Sequence, residues 1–141
     1  MKIALASDHG GYNLKQKIYE YLKDKYEIVD FGTNSTDSCD YPVYAKKVSE
    51  AVLNQGYERG ILICGTGIGM AITANRYKGI RASNVSDTYS AKMTRLHNNS
   101  NVLTLGERVI GEGLAKEIVD VWLNTEFEGG RHQKRIDMLD K

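Results

Sequence analysis

The sequence predicts an α/β fold, a three-layer αβα sandwich around a five-stranded parallel sheet. Short apolar runs alternate five times with segments of helical periodicity, which is the pattern of parallel βαβ units covered on both faces. No internal repeat, linker or low-complexity stretch interrupts that alternation. A length of 141 residues suits one domain over 1–141, large enough to bury a core without disulfide staples.

Each element has its own signal. Ile3-Ala4-Leu5-Ala6 reads as a buried strand, followed by a helix with Leu14, Ile18, Tyr21 and Leu22 on one face and its lysines elsewhere. Glu27 to Phe31 is the second strand, closed by Gly32. A polar loop leads to Pro42, placed for the first turn of a helix that aligns Ala45, Val48 and Val52. The third strand runs from Gly60 to Cys64, and its helix from about Gly67 to Asn75. Ile80 to Val85 is the fourth strand, with Asp87 capping a helix that reaches His97. Val102 to Leu105 is the fifth, before a helix near Gly113 to Leu123 that aligns Leu114, Ile118, Val121 and Trp122. Residues 126–141 form a polar C-terminal tail with a short helix.

Bulk composition narrows the function. Apolar residues make up 41% and charged residues 26%, and the net charge is +1 with acids and bases interleaved. No basic field draws the chain to nucleic acid, and no stretch is long and apolar enough to cross a bilayer. With two cysteines in unlike contexts and a first strand starting at Lys2, a reducing, cytoplasmic location is expected. Only three histidines exist and no Cys/His pair has ligand spacing, so no metal site is expected.

Right-handed crossovers put every strand's C-terminal end on one side of the molecule. Ser7-Asp8-His9, Cys64-Gly65-Thr66, Ser86-Asp87 and Gly106-Glu107-Arg108 therefore share a rim. The most informative stretch is Gly60-Ile61-Leu62-Ile63-Cys64-Gly65-Thr66-Gly67-Ile68-Gly69, a thiol followed by glycines at every second position and then a helix. Such a turn lets backbone approach a ligand and offers helix N–H groups to an anion. The same residues also suit a small buried hydrophobe before a turn, and the spacing alone leaves both readings open. A dinucleotide fingerprint is disfavoured, because the glycine spacing is wrong and follows the third strand rather than the first.

Asp8 could accept from a sugar hydroxyl and His9 could donate to a phosphate; Asp8 also suits an N-cap beside an exposed histidine. Arg131 and Arg135 stand four apart around His132, two guanidinium forks on one face if the tail is helical. Alone, this pattern favours a solvated basic helix end. The two preceding glycines, Gly129 and Gly130, permit a sharp turn that would aim it at a site. His97 either answers a helix dipole or serves as an acid/base group.

Taken together, Ser7-Asp8-His9-Gly10-Gly11, Asp40-Tyr41-Pro42, Ile63 to Gly69, Ala74-Asn75, His97-Asn98, Gly106-Glu107-Arg108-Val109-Ile110-Gly111 and Glu128-Gly129-Gly130-Arg131-His132 resemble ribose-5-phosphate isomerase type B. That family includes the galactose-6-phosphate isomerase subunits, and the resemblance spans essentially the whole chain. It implies a Rossmann-like sheet and a cofactor-free aldose–ketose isomerase acting on a phosphorylated sugar. It also implies a homodimer with active sites shared between subunits, with further pairing into tetramers left open.

Position by position, the resemblance implies Cys64 as the general base and His97 as the ring-opening acid/base. Thr66 would relay protons or fix a hydroxyl. Substrate contacts would come from Asp8, His9, Tyr41 and Asn98, the anion cradle from Gly65, Thr66, Gly67, Ile68 and Gly69, and polar or phosphate contacts from Arg108, Arg131 and Arg135. A second branch of the family has a carboxylate base where this chain has Met70, which cannot serve. The intact His97-Asn98 pair and Gly-Gly-Arg-His run favour the pentose phosphate. The alternatives are a six-carbon aldose phosphate isomerase (allose 6-phosphate or galactose 6-phosphate) and a non-catalytic phosphosugar- or nucleotide-binding module.

Overall fold

A computed structural model describes residues 1–141. Five strands, β1 (Lys2–Ser7), β2 (Glu27–Asp30), β3 (Arg59–Cys64), β4 (Ala82–Asn84) and β5 (Val102–Gly106), form one parallel sheet in the order β2-β1-β3-β5-β4. Six helices connect and flank them: α1 (Tyr12–Leu22), α2 (Tyr41–Asn54), α3 (Ile68–Ala74), α4 (Thr88–Asn98), α5 (Glu112–Asn124) and α6 (Arg131–Ile136). A single 3-10 turn, His9–Gly11, joins β1 to α1. No helix is long and apolar enough to cross a membrane.

The three layers follow from strand alternation. Ile3, Leu5, Ile61, Ile63, Leu103 and Leu105 face α1 and α5 on one side of the sheet. Ala4, Ala6, Leu62, Cys64 and Val102 face α2 and α3 on the other. The small alanines of β1 let α2 sit close to the sheet, and Trp122 fills the opposite layer with its indole N–H donating to Ser100 Oγ at 2.7 Å. Pro42 lies in the first turn of α2 and Asp87 caps α4 by accepting from Ser90 N at 2.6 Å, both as expected.

Three expectations are corrected. Lys15 is fully buried in the apolar face of α1, where its Nζ reaches Asp30 Oδ2 at 2.5 Å and Gln16 Oε1 at 2.9 Å. The fourth strand spans only Ala82–Asn84, not Ile80 to Val85. At its start the Arg81 N–H, which faces β5, is taken by Asn101 Oδ1, and Ile80 N closes a turn to Tyr77 O; Asn75 Oδ1 accepts from Ala82 N on the strand's outer edge. On α5 the buried stripe is Ala115, Ile118, Val119, Trp122 and Leu123, so Leu114 is left 37% exposed. The stripe 115/118/119/122 is itself a complete helical face and leaves no space for position 114.

Candidate active site

The strand ends meet as the topology requires, and backbone contact is what holds them. Cys64 ends β3 in the sheet's centre, with only 6% of its surface exposed, and Gly67 N–H donates to its Sγ at 3.0 Å. That bond depends on Gly67 adopting φ +84°, a conformation that side chains resist; a Cβ there would also lie 2.3 Å from Asn84 Oδ1. Gly106, beside Cys64 in β5, has the backbone of Thr66 against it, so that a Cβ would meet Thr66 O at 2.6 Å. The turn is thus folded down over the sheet end rather than standing away from it.

Other residues expected at the site gather around this turn. Asp8 acts as the N-cap, its Oδ1 accepting from Gly10 N at 2.9 Å and Gly11 N at 3.2 Å. A Cβ at Gly10 would lie 3.2 Å from Gly65 N, so the turns after β1 and β3 touch. The Arg108 guanidinium lies over Gly65, with Nη1 3.2 Å from where its Cβ would be, and Arg108 N donates to Gly65 O at 3.0 Å. The Tyr41 ring, at the start of α2, packs against Gly69. Thr66 is exposed, and its Oγ1 accepts from Ile68 N at 3.2 Å. His9 is half-buried rather than exposed, with Nδ1 accepting from Cys39 N at 3.2 Å. Met70 is fully buried in the core, which suits a hydrophobe and not a base.

A second group assembles elsewhere in the chain. His97 and Asn98, the last residues of α4, line a cavity of about 250 Å³ together with His132 and Arg135 of α6, Ile136 and Leu139. The tail is helical where the arginines need it to be. Both arginines are exposed; Arg135 lines the cavity, and Arg131 places Nη1 3.8 Å from Glu128 Oε1. The His97 and His132 rings stack with centroids 4.3 Å apart at 16°.

His132 is the residue that spacing did not single out as a ligand group. It is 5% exposed, and its Nε2 has no hydrogen-bond partner, the nearest carboxylate oxygen being Glu128 Oε1 at 3.7 Å. Burial holds its pKa below the ordinary imidazole range, with Arg131, His97 and Arg135 adding to the effect and Glu128 opposing it.

His97, Glu128 and His132 place three metal-type donor atoms within 4.8 Å of one another. Arg131 and Arg135 stand close enough to His132 to help lower its pKa, and this positive setting favours an anion beside it. A buried unpaired nitrogen and two arginines can hold a phosphate monoester, with Asn98 beside them to meet a sugar hydroxyl; the thiol and glycine turn can take a proton beside a developing anion.

A profile of the Ribose/Galactose Isomerase family matches residues 3–139. The chain is similar to the ribose-5-phosphate isomerase B of Escherichia coli, with 49% identity over 98% of this chain and 93% of that protein. Its structure is similar to that of the ribose-5-phosphate isomerase B of Clostridium thermocellum, with a TM-score of 0.98 at 52% identity, covering 99% of this chain and 95% of that one. It is also 43% identical to the D-erythrulose-4-phosphate isomerase of Pectobacterium atrosepticum, over 99% of this chain and 93% of that protein.

Proposed function

The chain belongs to the ribose/galactose isomerase family, and on that premise we propose that it interconverts ribose 5-phosphate and ribulose 5-phosphate through an enediolate without a cofactor. The observation that carries this reading is the Cys64 thiol at the end of β3, held by the Gly67 amide at 3.0 Å inside the glycine turn. His97 moves a proton between the ring oxygen and the anomeric hydroxyl and opens the furanose. Thiolate Cys64 then takes the C2 proton of the open aldehyde, giving the enediolate. The thiol returns that proton to C1 as a proton passes from O2 to O1, leaving the C2 ketone.

A thiolate is a weak base towards a carbon acid, so the enediolate charge needs amide donors. Gly67 N–H is engaged by Sγ and Ile68 N–H by Thr66. The remaining amides at the α3 N-terminus serve instead, each such donor being worth about 2.7–4 kcal/mol. Arg131 and Arg135 anchor the phosphate end while Asn98 holds a sugar hydroxyl, and that remote binding energy orients the reacting carbons.

Each site, in this reading, is built from two copies of the chain. The cavity lined by His97, Asn98, His132 and Arg135 includes no residue of the Cys64 turn. Beside that turn Ile68 and Ile72 are 53% and 56% exposed, one helical step apart, and Val109 adjoins Arg108 at 56%. An apolar rim around a charged site suits a two-fold mate that brings His97 and the arginines to the partner's cysteine.

A coupled assay tests the substrate. Ribose 5-phosphate should give the highest kcat/KM in a panel that includes erythrulose 4-phosphate, allose 6-phosphate and galactose 6-phosphate. A higher value for a four- or six-carbon sugar would displace the pentose reading, and no turnover of any would favour a binding module.

A further inference from the structure

We propose that the backbone N–H of Cys39 fixes the tautomer of His9, so that this ring presents Nε2–H as a neutral donor to the phosphorylated sugar. The identity of the ligand rests on the isomerase reading above; the tautomer does not. Cys39 N–H donates to His9 Nδ1 at 3.2 Å, and Cys39 Sγ lies 3.9 Å from the same nitrogen. A ring nitrogen that accepts carries no proton, so the neutral imidazole carries it on Nε2, at the opposite edge. The adjacent Asp8 cannot donate to a phosphate, because an ionised carboxylate only accepts, and its Oδ1 already accepts from the Gly10 and Gly11 amides.

The loop that delivers the Cys39 amide is pinned at both ends to elements of the site. At its root Ser7 N donates to Gly32 O at 2.7 Å and Thr33 N to Ser7 O at 2.8 Å, two residues before His9. Asp30 Oδ1 accepts from Gly32 N at 2.8 Å, and Asp30 is itself held by buried Lys15. At the far end the chain enters α2, whose Tyr41 packs on Gly69. The loop braces His9 through a main-chain group, so any residue with an N–H at position 39 can serve. Cys39 is a positioning residue through its backbone, not through its thiol.

Long-range proton–nitrogen NMR of the ligand-free protein reads the tautomer directly. Wild type and Cys39→Ala should both show His9 protonated on Nε2 alone. Cys39→Pro, which lacks the N–H, should show mixed tautomers and weaken inorganic phosphate binding and the ribose 5-phosphate KM about tenfold, with kcat changed less. His9 variants carry the same test should the proline variant not fold. In His9→Gln the amide reaches the Nε2 position, and binding should stay within about threefold; in His9→Asn it reaches only Nδ1, and binding should fall about tenfold. A wild-type His9 protonated on Nδ1, or an asparagine variant that binds better than the glutamine one, would overturn the proposal. A fixed Nε2–H in a protein that binds phosphate but does not turn over ribose 5-phosphate would uphold it and refute the substrate assignment alone.

Discussion

Cys64→Ala is expected to lower kcat by about 10²–10⁴-fold, the range over which a positioned acid/base group contributes. The loss should lie in kcat rather than in binding, since the side chains proposed to hold the phosphate, Arg131 and Arg135 of α6, are untouched by the substitution. The fold should survive. Alanine at this position removes one small sulfur from a site that keeps some exposure, and the Gly67 turn is still bounded by Asn84 and Leu105. Exchange of solvent deuterium into C2 of the substrate should vanish with turnover. Retained exchange in the alanine protein would assign the proton transfer to another group.

The largest effect on stability is expected at the Lys15–Asp30 pair. Lys15 is fully buried while Asp30 keeps a quarter of its side chain exposed. Asp30→Asn removes the carboxylate and leaves the ammonium facing two neutral amide oxygens. Breaking a fully buried pair typically costs about 3–5 kcal/mol, and the exposure of Asp30 reduces this to roughly 2–3 kcal/mol. Adding Lys15→Met should recover most of the loss, because a hydrophobic isostere leaves no uncompensated charge. Urea unfolding at pH 7 measures both. A single variant with an unchanged midpoint, or a double variant no more stable than the single, would show that Lys15 has another charge partner.

What the sequence made legible depended on whether the signal was local. The alternation of apolar runs and helical faces placed every strand and helix, because propensity, cap and burial agree at Pro42, Asp87 and the β3 run. It missed where a tertiary partner overrides the local pattern. Lys15 sits on an apolar face only because Asp30, on a neighbouring strand, accepts it. β4 starts late because the side chain of Asn101 takes the Arg81 N–H that faces β5. Leu114 yields the core to Ala115 because the 115/118/119/122 face already fills the contact with the neighbouring layer.

The candidate site was legible for a topological reason: in a parallel sheet the strand ends must share a rim, so topology alone groups Asp8, Cys64 and Arg108. His132 and the Cys39 amide were not legible in this way. One depends on how α6 packs against α4, the other on a main-chain contact across 30 residues.

Subunit mixing tests the two-chain site most directly. Equal amounts of Cys64→Ala and Arg131→Ala protein, each inactive alone, are combined under conditions that exchange subunits. Random reassortment makes about half the dimers mixed, and two-fold symmetry gives each mixed dimer one doubly defective site and one intact site. Activity should return to about a quarter of wild type. A mixture that stays inactive despite demonstrated exchange would place Cys64 and Arg131 in the same subunit's site and contradict the account.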